Sequence, residues 1–137
     1  MESQVPTKKW GTNYFVSMRS THTSPTQPQP LLNCPVTVTI AVIGGKWKPL
    51  ILFHLLNDGV LRFAELRRKI SGISERMLTQ QLRELEADGI VHREVYPEVP
   101  PKVEYSITEY GETLRPVSEA MCRWGRNHMQ RAAAVHK

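Results

Sequence analysis

Ser71-Gly72-Ile73-Ser74-Glu75-Arg76-Met77-Leu78-Thr79-Gln80-Gln81-Leu82-Arg83-Glu84-Leu85-Glu86-Ala87-Asp88-Gly89 reads as a tight turn followed by a capped amphipathic helix. Ser71-Gly72-Ile73 breaks the pattern before it, and Ser74 has the side chain to accept a hydrogen bond from a first-turn N–H. Asp88-Gly89 supplies the stop. Leu78, Leu82 and Leu85 recur at helical spacing. With Leu78 at 0° and about 100° per residue, Leu82 falls near 40° and Leu85 near 340°. On the same wheel Thr79, Arg83, Arg76 and Gln80 fall near 100°, 140°, 160° and 200°. The core face is therefore leucine, and the outward face is Arg76, Thr79, Gln80 and Arg83.

Upstream, Phe63, Leu66 and Ile70 mark a third helix rich in Arg67, Arg68 and Lys69. Two short helices joined by a tight turn have helix-turn-helix proportions, the second being the one that enters a major groove. Further upstream, Val36, Ile40 and Ile43 predict a short first helix stopped by Gly44-Gly45. Lys46 to Leu56 is a second helix, in which Pro49 is tolerable only in the first turn. Its buried stripe reads as Leu50, Phe53 and Leu56, with Trp47 one turn earlier.

Downstream the period changes to two. Ile90 to Tyr96 and Val103 to Ile107 alternate as strands around Pro97-Glu98-Val99-Pro100-Pro101, which reads as a turn or loop. Thr108 can cap a last helix, whose stripe is Leu114, Val117, Met121, Trp124 and His128. Pro116 implies a late start or a kink there, and Gly125 suggests close backbone packing. The fold class is thus mainly α with a small β-hairpin wing, a winged helix-turn-helix.

The chain has 137 residues, enough for one domain with a real core. A formal net charge of +5 favours a polyanionic partner. Residues 1–31 hold four of the ten prolines and no sustained period, and read as a disordered tail carrying +2 of the charge. Residues 32–131 are expected to form one folded domain, and 132–137 a C-terminal tail. No apolar run has the length of a membrane span, and no export signal precedes the domain. Cys34 and Cys122 are far apart and form no CxxC motif. A reduced, cytoplasmic and nucleoid-associated setting is expected.

The outward residues of the fourth helix match groove chemistry: Arg bidentate to guanine, Gln bidentate to adenine, Thr to a phosphate or the thymine methyl. Ser74 and the helix N-terminus suit a phosphate. The same residues also suit an ordinary solvated face. A hairpin directly after such a helix favours the DNA reading, with Lys102 the cation best placed to reach the flanking groove or backbone. Arg93 is a phosphate ligand or a cross-strand partner for Glu104. Arg62, Arg67, Arg68 and Lys69 are phosphate contacts or solvated charges.

Several strings together resemble the HxlR-type regulators, in the MarR-like superfamily. They are Cys34-Pro35, Ile43-Gly44-Gly45-Lys46-Trp47, Arg62-Phe63-Ala64-Glu65-Leu66-Arg67-Arg68, Gly72-Ile73-Ser74, the stretch from Leu78 to Gly89, the stretch from Tyr96 to Tyr105, and Trp124-Gly125. They keep order and spacing from about residue 34 to 128. The resemblance implies that the domain at 32–131 binds palindromic double-stranded operator DNA as a homodimer, with the first and last helices forming the dimer interface; the expected sense of regulation is repression. It also implies a role for Cys34, because some members sense oxidants or electrophiles through the cysteine ahead of the first helix. The other reading of Cys34 is a small hydrophobe in the dimer seam. The long N-terminal tail departs from the family pattern.

Two rivals stand beside this reading. One is a winged-helix module for protein contact, disfavoured by the arginine-rich face. The other is a regulator holding a small apolar effector near Trp47, Met121 and Trp124. No GxSxG, P-loop or dinucleotide glycine pattern is present, so no enzyme and no cofactor are expected. His54, His92 and His128 lack metal-ligand spacing with the cysteines, so no metal is expected.

Overall fold

Helix starts and stops follow the prolines and glycines of the sequence closely. The computed structural model describes residues 34–136, so the tail expected over 1–31 lies outside the described residues. Helix α1 (Pro35–Ile43) carries a proline in its first turn, and Cys34 is its N-cap. Helix α2 (Lys48–Asp58) places Pro49 in its first turn, where the missing N–H costs nothing. Strand β1 (Leu61–Arg62) leads into α3 (Phe63–Lys69). After the turn comes α4 (Glu75–Ala87), with the Ser74 side chain accepting from the Met77 N–H at 3.1 Å. Strands β2 (Val91–Tyr96) and β3 (Lys102–Ile107) form the wing. A 3-10 turn (Gly111–Leu114) then opens onto α5 (Arg115–Val135).

The wing strands pair antiparallel, from Val91 opposite Ile107 to Tyr96 opposite Lys102. The sheet has a third strand that the sequence pattern did not reveal. β1 pairs with β3, Leu61 opposite Tyr105 and Arg62 opposite Glu104, giving the order β1-β3-β2. Two residues are too few to display a period of two, so hydrophobic alternation carries no trace of β1.

The core sits where α2, α3 and α4 meet the sheet. Ile51, Leu52, Leu55, Leu66, Ile70, Leu78, Leu82, Leu85 and Ile90 are its most buried large side chains. The leucine stripe of α4 is buried as its spacing requires. The stripe read for α2 is different: Leu50 and Phe53 are exposed, and the buried positions are Lys48, Ile51, Leu52, Leu55 and Leu56. This helix is apolar around most of its circumference, so spacing alone cannot say which side faces inward.

Pro116 marks a late start, since α5 begins at Arg115 with the proline in its first turn. Thr108 does cap, though it caps the 3-10 turn: its Oγ1 accepts from the Gly111 N–H at 2.9 Å and donates to the Gly89 carbonyl at 2.6 Å. Gly111 has no room for a side chain, because a Cβ there would collide with the Ile90 carbonyl. Arg115 fixes the start of α5. Its guanidinium donates twice to Glu112, at 2.9 and 3.0 Å, and once to the Leu56 carbonyl at 3.0 Å. Leu56 lies in the last turn of α2, where carbonyls lack intrahelical partners.

α5 buries no residue fully among the described residues. Val117, Met121, Trp124 and Met129 are exposed along it, and Val36 and Ile40 are exposed on α1. Among the described residues a Cβ at Gly125 would meet nothing within 4 Å, so the close packing suggested by its position is not found among them. Among the described residues no single helix is long and apolar enough to cross a membrane. α1 and α2 pass that test only as a pair bent by 76°.

Candidate nucleic-acid interface

The turn between α3 and α4 depends on Gly72, whose φ of 88° lies in the left-handed region that other residues avoid. It lets the chain reverse within a few residues and begin α4 at the Ser74 cap. Ser74, Arg76, Gln80 and Arg83 are exposed, and Thr79 is half-buried. The structure therefore brings the sequence-selected residues of α4 to one outward face, opposite Leu78, Leu82 and Leu85.

Cations on the neighbouring helix are partly engaged. Arg67 Nη1 lies 2.9 Å from Glu75 Oε2, and Lys69 Nζ lies 3.4 Å from Asp58 Oδ2. Phe63, Ala64, Arg67, Arg68 and Glu75 line an open cleft of about 380 Å³ in front of the α3–α4 junction. The Arg62 N–H donates to Glu65 Oε1 at 2.7 Å, which closes the start of α3. Its guanidinium is free of any ion pair among the described residues.

On the wing, Lys102 does not extend from the tip. Its Nζ sits 4.3 Å from the centre of the Tyr96 ring. The Tyr96 hydroxyl donates to Glu104 Oε1 at 3.1 Å, and this bond, with the carboxylate's charge, raises the phenol's pKa. Arg93 lies opposite Tyr105 and Glu94 opposite Glu104, so the cross-strand pairing considered for Arg93 and Glu104 is not the observed register. The tip itself presents Val99, which is 99% exposed.

Cys34 is exposed at the α1 N-terminus. Its thiol pKa is lowered, first by a hydrogen bond from the Thr37 N–H and then by one from the Val36 N–H. Cys122 is half-buried and lines a pocket of about 290 Å³ between α2 and α5. Leu50, Phe53, Leu114 and Met121 share that lining, which is where the unburied face of α2 turns. Of the three residues expected around an apolar effector, Met121 lines the pocket. Trp47 packs against the core, and Trp124 stacks on His128 with ring centres 5.0 Å apart. Among the described residues there is no group of three or more His, Cys, Asp or Glu placed to hold a metal ion.

A family model described as HxlR-like helix-turn-helix matches residues 42–133. The chain belongs to the HxlR-like helix-turn-helix family. It is a helix-turn-helix transcriptional regulator, as its relatives are. The HTH-type transcriptional regulator YybR of Bacillus subtilis is 60% identical over 95 residues, which cover 69% of this chain and 75% of that protein. YdeP, also from Bacillus subtilis, is 57% identical over 98 residues, 72% of this chain and 76% of its own. Among solved structures, the redox regulator HypR in its oxidised form is 61% identical with a TM-score of 0.65, covering 69% of this chain and 96% of that one. Its reduced form gives a TM-score of 0.69 at 55% identity, covering 74% and 99%.

Reasoning from sequence missed one pair. Lys48 is buried, and its Nζ lies 2.6 Å from Glu84 Oε1 on α4. A lysine at the head of an apolar helix was the available signal. Its partner, far along the chain, could not be read from spacing.

Proposed function

We propose that this regulator binds an operator in double-stranded DNA as a homodimer and represses transcription from the promoter there, acting in the cytoplasm on the chromosome. The observation that carries the reading is the division of α4 into two faces. One is leucine and fully buried, and the other presents Arg76, Thr79, Gln80 and Arg83. In a winged helix-turn-helix the second helix lies in the major groove, where Arg and Gln have the hydrogen-bonding geometry for guanine and adenine. Ser74 and the start of α4 take a phosphate, and Lys102 on the wing takes another.

Dimerisation is supported by the apolar side chains left uncovered on α1 and α5. Val36 is 64% exposed and Trp124 68% exposed. A helix with such a stripe buries it against something, and a second copy makes a closed, symmetric contact that suits a palindromic site.

The test is binding to DNA from upstream of the regulator's own gene and its neighbours, at physiological salt with excess random competitor. Tight, competitor-resistant binding supports the reading. Binding that random DNA removes equally would reduce the interaction to net charge, and would favour a protein-contact role for the same helix.

A second reading concerns control. Cys34 is exposed, its thiolate is favoured by backbone N–H groups, and a redox regulator is among the similar structures. In this reading an electrophile adds to the thiolate, or a peroxide oxidises it to a sulfenic acid. The modified cysteine then changes the packing of α1 and with it the spacing of the two α4 helices. Oxidation that alters operator affinity in the parent protein, and leaves Cys34→Ser unaffected, supports it. An identical response in both proteins overturns it.

A further inference from the structure

A line of polar contacts runs from the core to the outward face of α4. Lys48, on α2, is 6% exposed among the side chains of the core. Its Nζ lies 2.6 Å from Glu84 Oε1. The other carboxylate oxygen, Glu84 Oε2, accepts from Gln80 Nε2 at 3.4 Å. Gln80 is exposed one turn earlier on α4.

An ion pair with one partner buried and the other, Glu84, half-buried is a poor source of stability, since desolvation offsets much of the attraction. Its effect on neighbouring groups is more specific. A carboxylate only accepts hydrogen bonds, so the side-chain amide facing it turns its nitrogen inward. The Gln80 Oε1 then points away from Glu84, and one N–H of the amide is already committed. What remains is one acceptor and one donor, the complement of the N6–H and N7 edge of adenine. Guanine offers two acceptors, N7 and O6, and would need both N–H groups. Lys48 holds the carboxylate that imposes this choice, from a position buried in the core.

We infer that Lys48 and Glu84 act as positioning residues that lock the amide of Gln80 in the orientation that reads adenine, so that a core lysine sets base preference. This rests on the reading of α4 as the recognition helix. The device differs from a simple stabilising pair in what it predicts: its loss alters the preference at one base pair per half-site, while a general weakening of the fold lowers affinity for every sequence alike.

The experiment is selection of binding sites from a randomised duplex pool by the full chain and by four variants. Gln80→Ala defines which position Gln80 reads. Glu84→Gln keeps the size of the side chain but lets either end of the Gln80 amide face it. Because Glu84→Gln leaves the Lys48 charge unpaired, the double variant Lys48→Met with Glu84→Gln removes both charges and decides the matter where the single variant does not fold. Lys48→Arg retains the pairing. The expected result is loss of roughly 5- to 150-fold adenine preference at the Gln80 position, the range for one bidentate contact, in Glu84→Gln and in the double variant. The other selected positions keep their preferences, and Lys48→Arg selects the parent site. Full adenine preference in the folded double variant overturns the inference. So does a uniform loss of preference at all positions. Failure of the underlying reading looks different: the parent selects no consensus, or Gln80→Ala selects the parent consensus unchanged.

Discussion

Arg83 and Arg76 stand on the exposed face of α4 with no ion pair among the described residues, whereas Arg67 and Lys69 on α3 are held by Glu75 and Asp58. A cation already paired must release its carboxylate before it can take a new acceptor, so the unpaired arginines have more to gain from DNA. Arg83→Ala is expected to cost roughly 1–3 kcal/mol of operator binding, the range for one bidentate base contact. Fluorescence anisotropy measures it, and unchanged affinity would remove Arg83 from the reading surface. Lys102 belongs to a different class. Folded over the Tyr96 ring, it offers a charge to the backbone rather than a fork to a base. Lys102→Ala should weaken operator and random DNA together and lower the salt slope by about one. A loss confined to the operator would contradict the phosphate assignment. At Cys34 the N–H groups of Thr37 and Val36 stabilise the thiolate, so the thiolate population is reached at lower pH than for an ordinary thiol. Iodoacetamide should therefore label Cys34 ahead of the half-buried Cys122 at neutral pH, with a labelling midpoint below that of a free thiol. Equal rates at both sites would count against any special reactivity.

Among the elements, α4 has the most explicit signature. Its cap, its leucine spacing and its stop each act within a few residues, so the sequence reports them directly, and the structure places Leu78, Leu82 and Leu85 in the core. Leu82→Ala should cost about 2–5 kcal/mol of stability, and Ser74→Ala about 0.5–2 kcal/mol through the lost cap. Urea unfolding measures both, and a Ser74→Ala variant as stable as the parent would show that the 3.1 Å bond to Met77 contributes nothing net. The wing strands were legible for the same reason, because alternation is local. What escaped the sequence depends on distance along the chain. The face of α2 is chosen by which apolar side meets α3 and α4, and Leu50 and Phe53 carry no mark of being left outside. β1 is recognisable only through its pairing with β3. The Lys48–Glu84 contact joins two elements whose proximity is a property of the tertiary fold. The outward face of α4 was legible as a set of residues, while the hydrogen bond that orients one of them was not.

For the molecule as a whole, the unanswered demand is the apolar surface of α1 and α5. Ile40 is 60% exposed, Met121 48% and Trp124 68%, and a second copy would cover them. On a palindromic site that dimer would hold its two α4 helices roughly 34 Å apart, one turn of the duplex. Ile40→Asp and Trp124→Glu should each shift the sedimenting species toward the 15.7 kDa monomer, with a matching loss of operator affinity. A parent protein that sediments as a monomer at micromolar concentration would end the dimer proposal. Gly125 gives the sharper version of this test, because its two outcomes have opposite signs. It lies inside α5 beside Trp124, and a Cβ there meets nothing within 4 Å among the described residues. If that surface faces solvent, Gly125→Ala should raise stability by about 1 kcal/mol, the difference in helix propensity, and Gly125→Leu should do nearly as well. If α5 packs against its counterpart there, the glycine is what lets the two backbones approach. Gly125→Leu should then weaken the dimer and lower operator affinity, while the alanine variant has a smaller effect. Thermal melts and sedimentation of the two variants, run at the same protein concentration, separate the cases. A leucine variant that is both more stable and fully dimeric places the interface elsewhere on the helix.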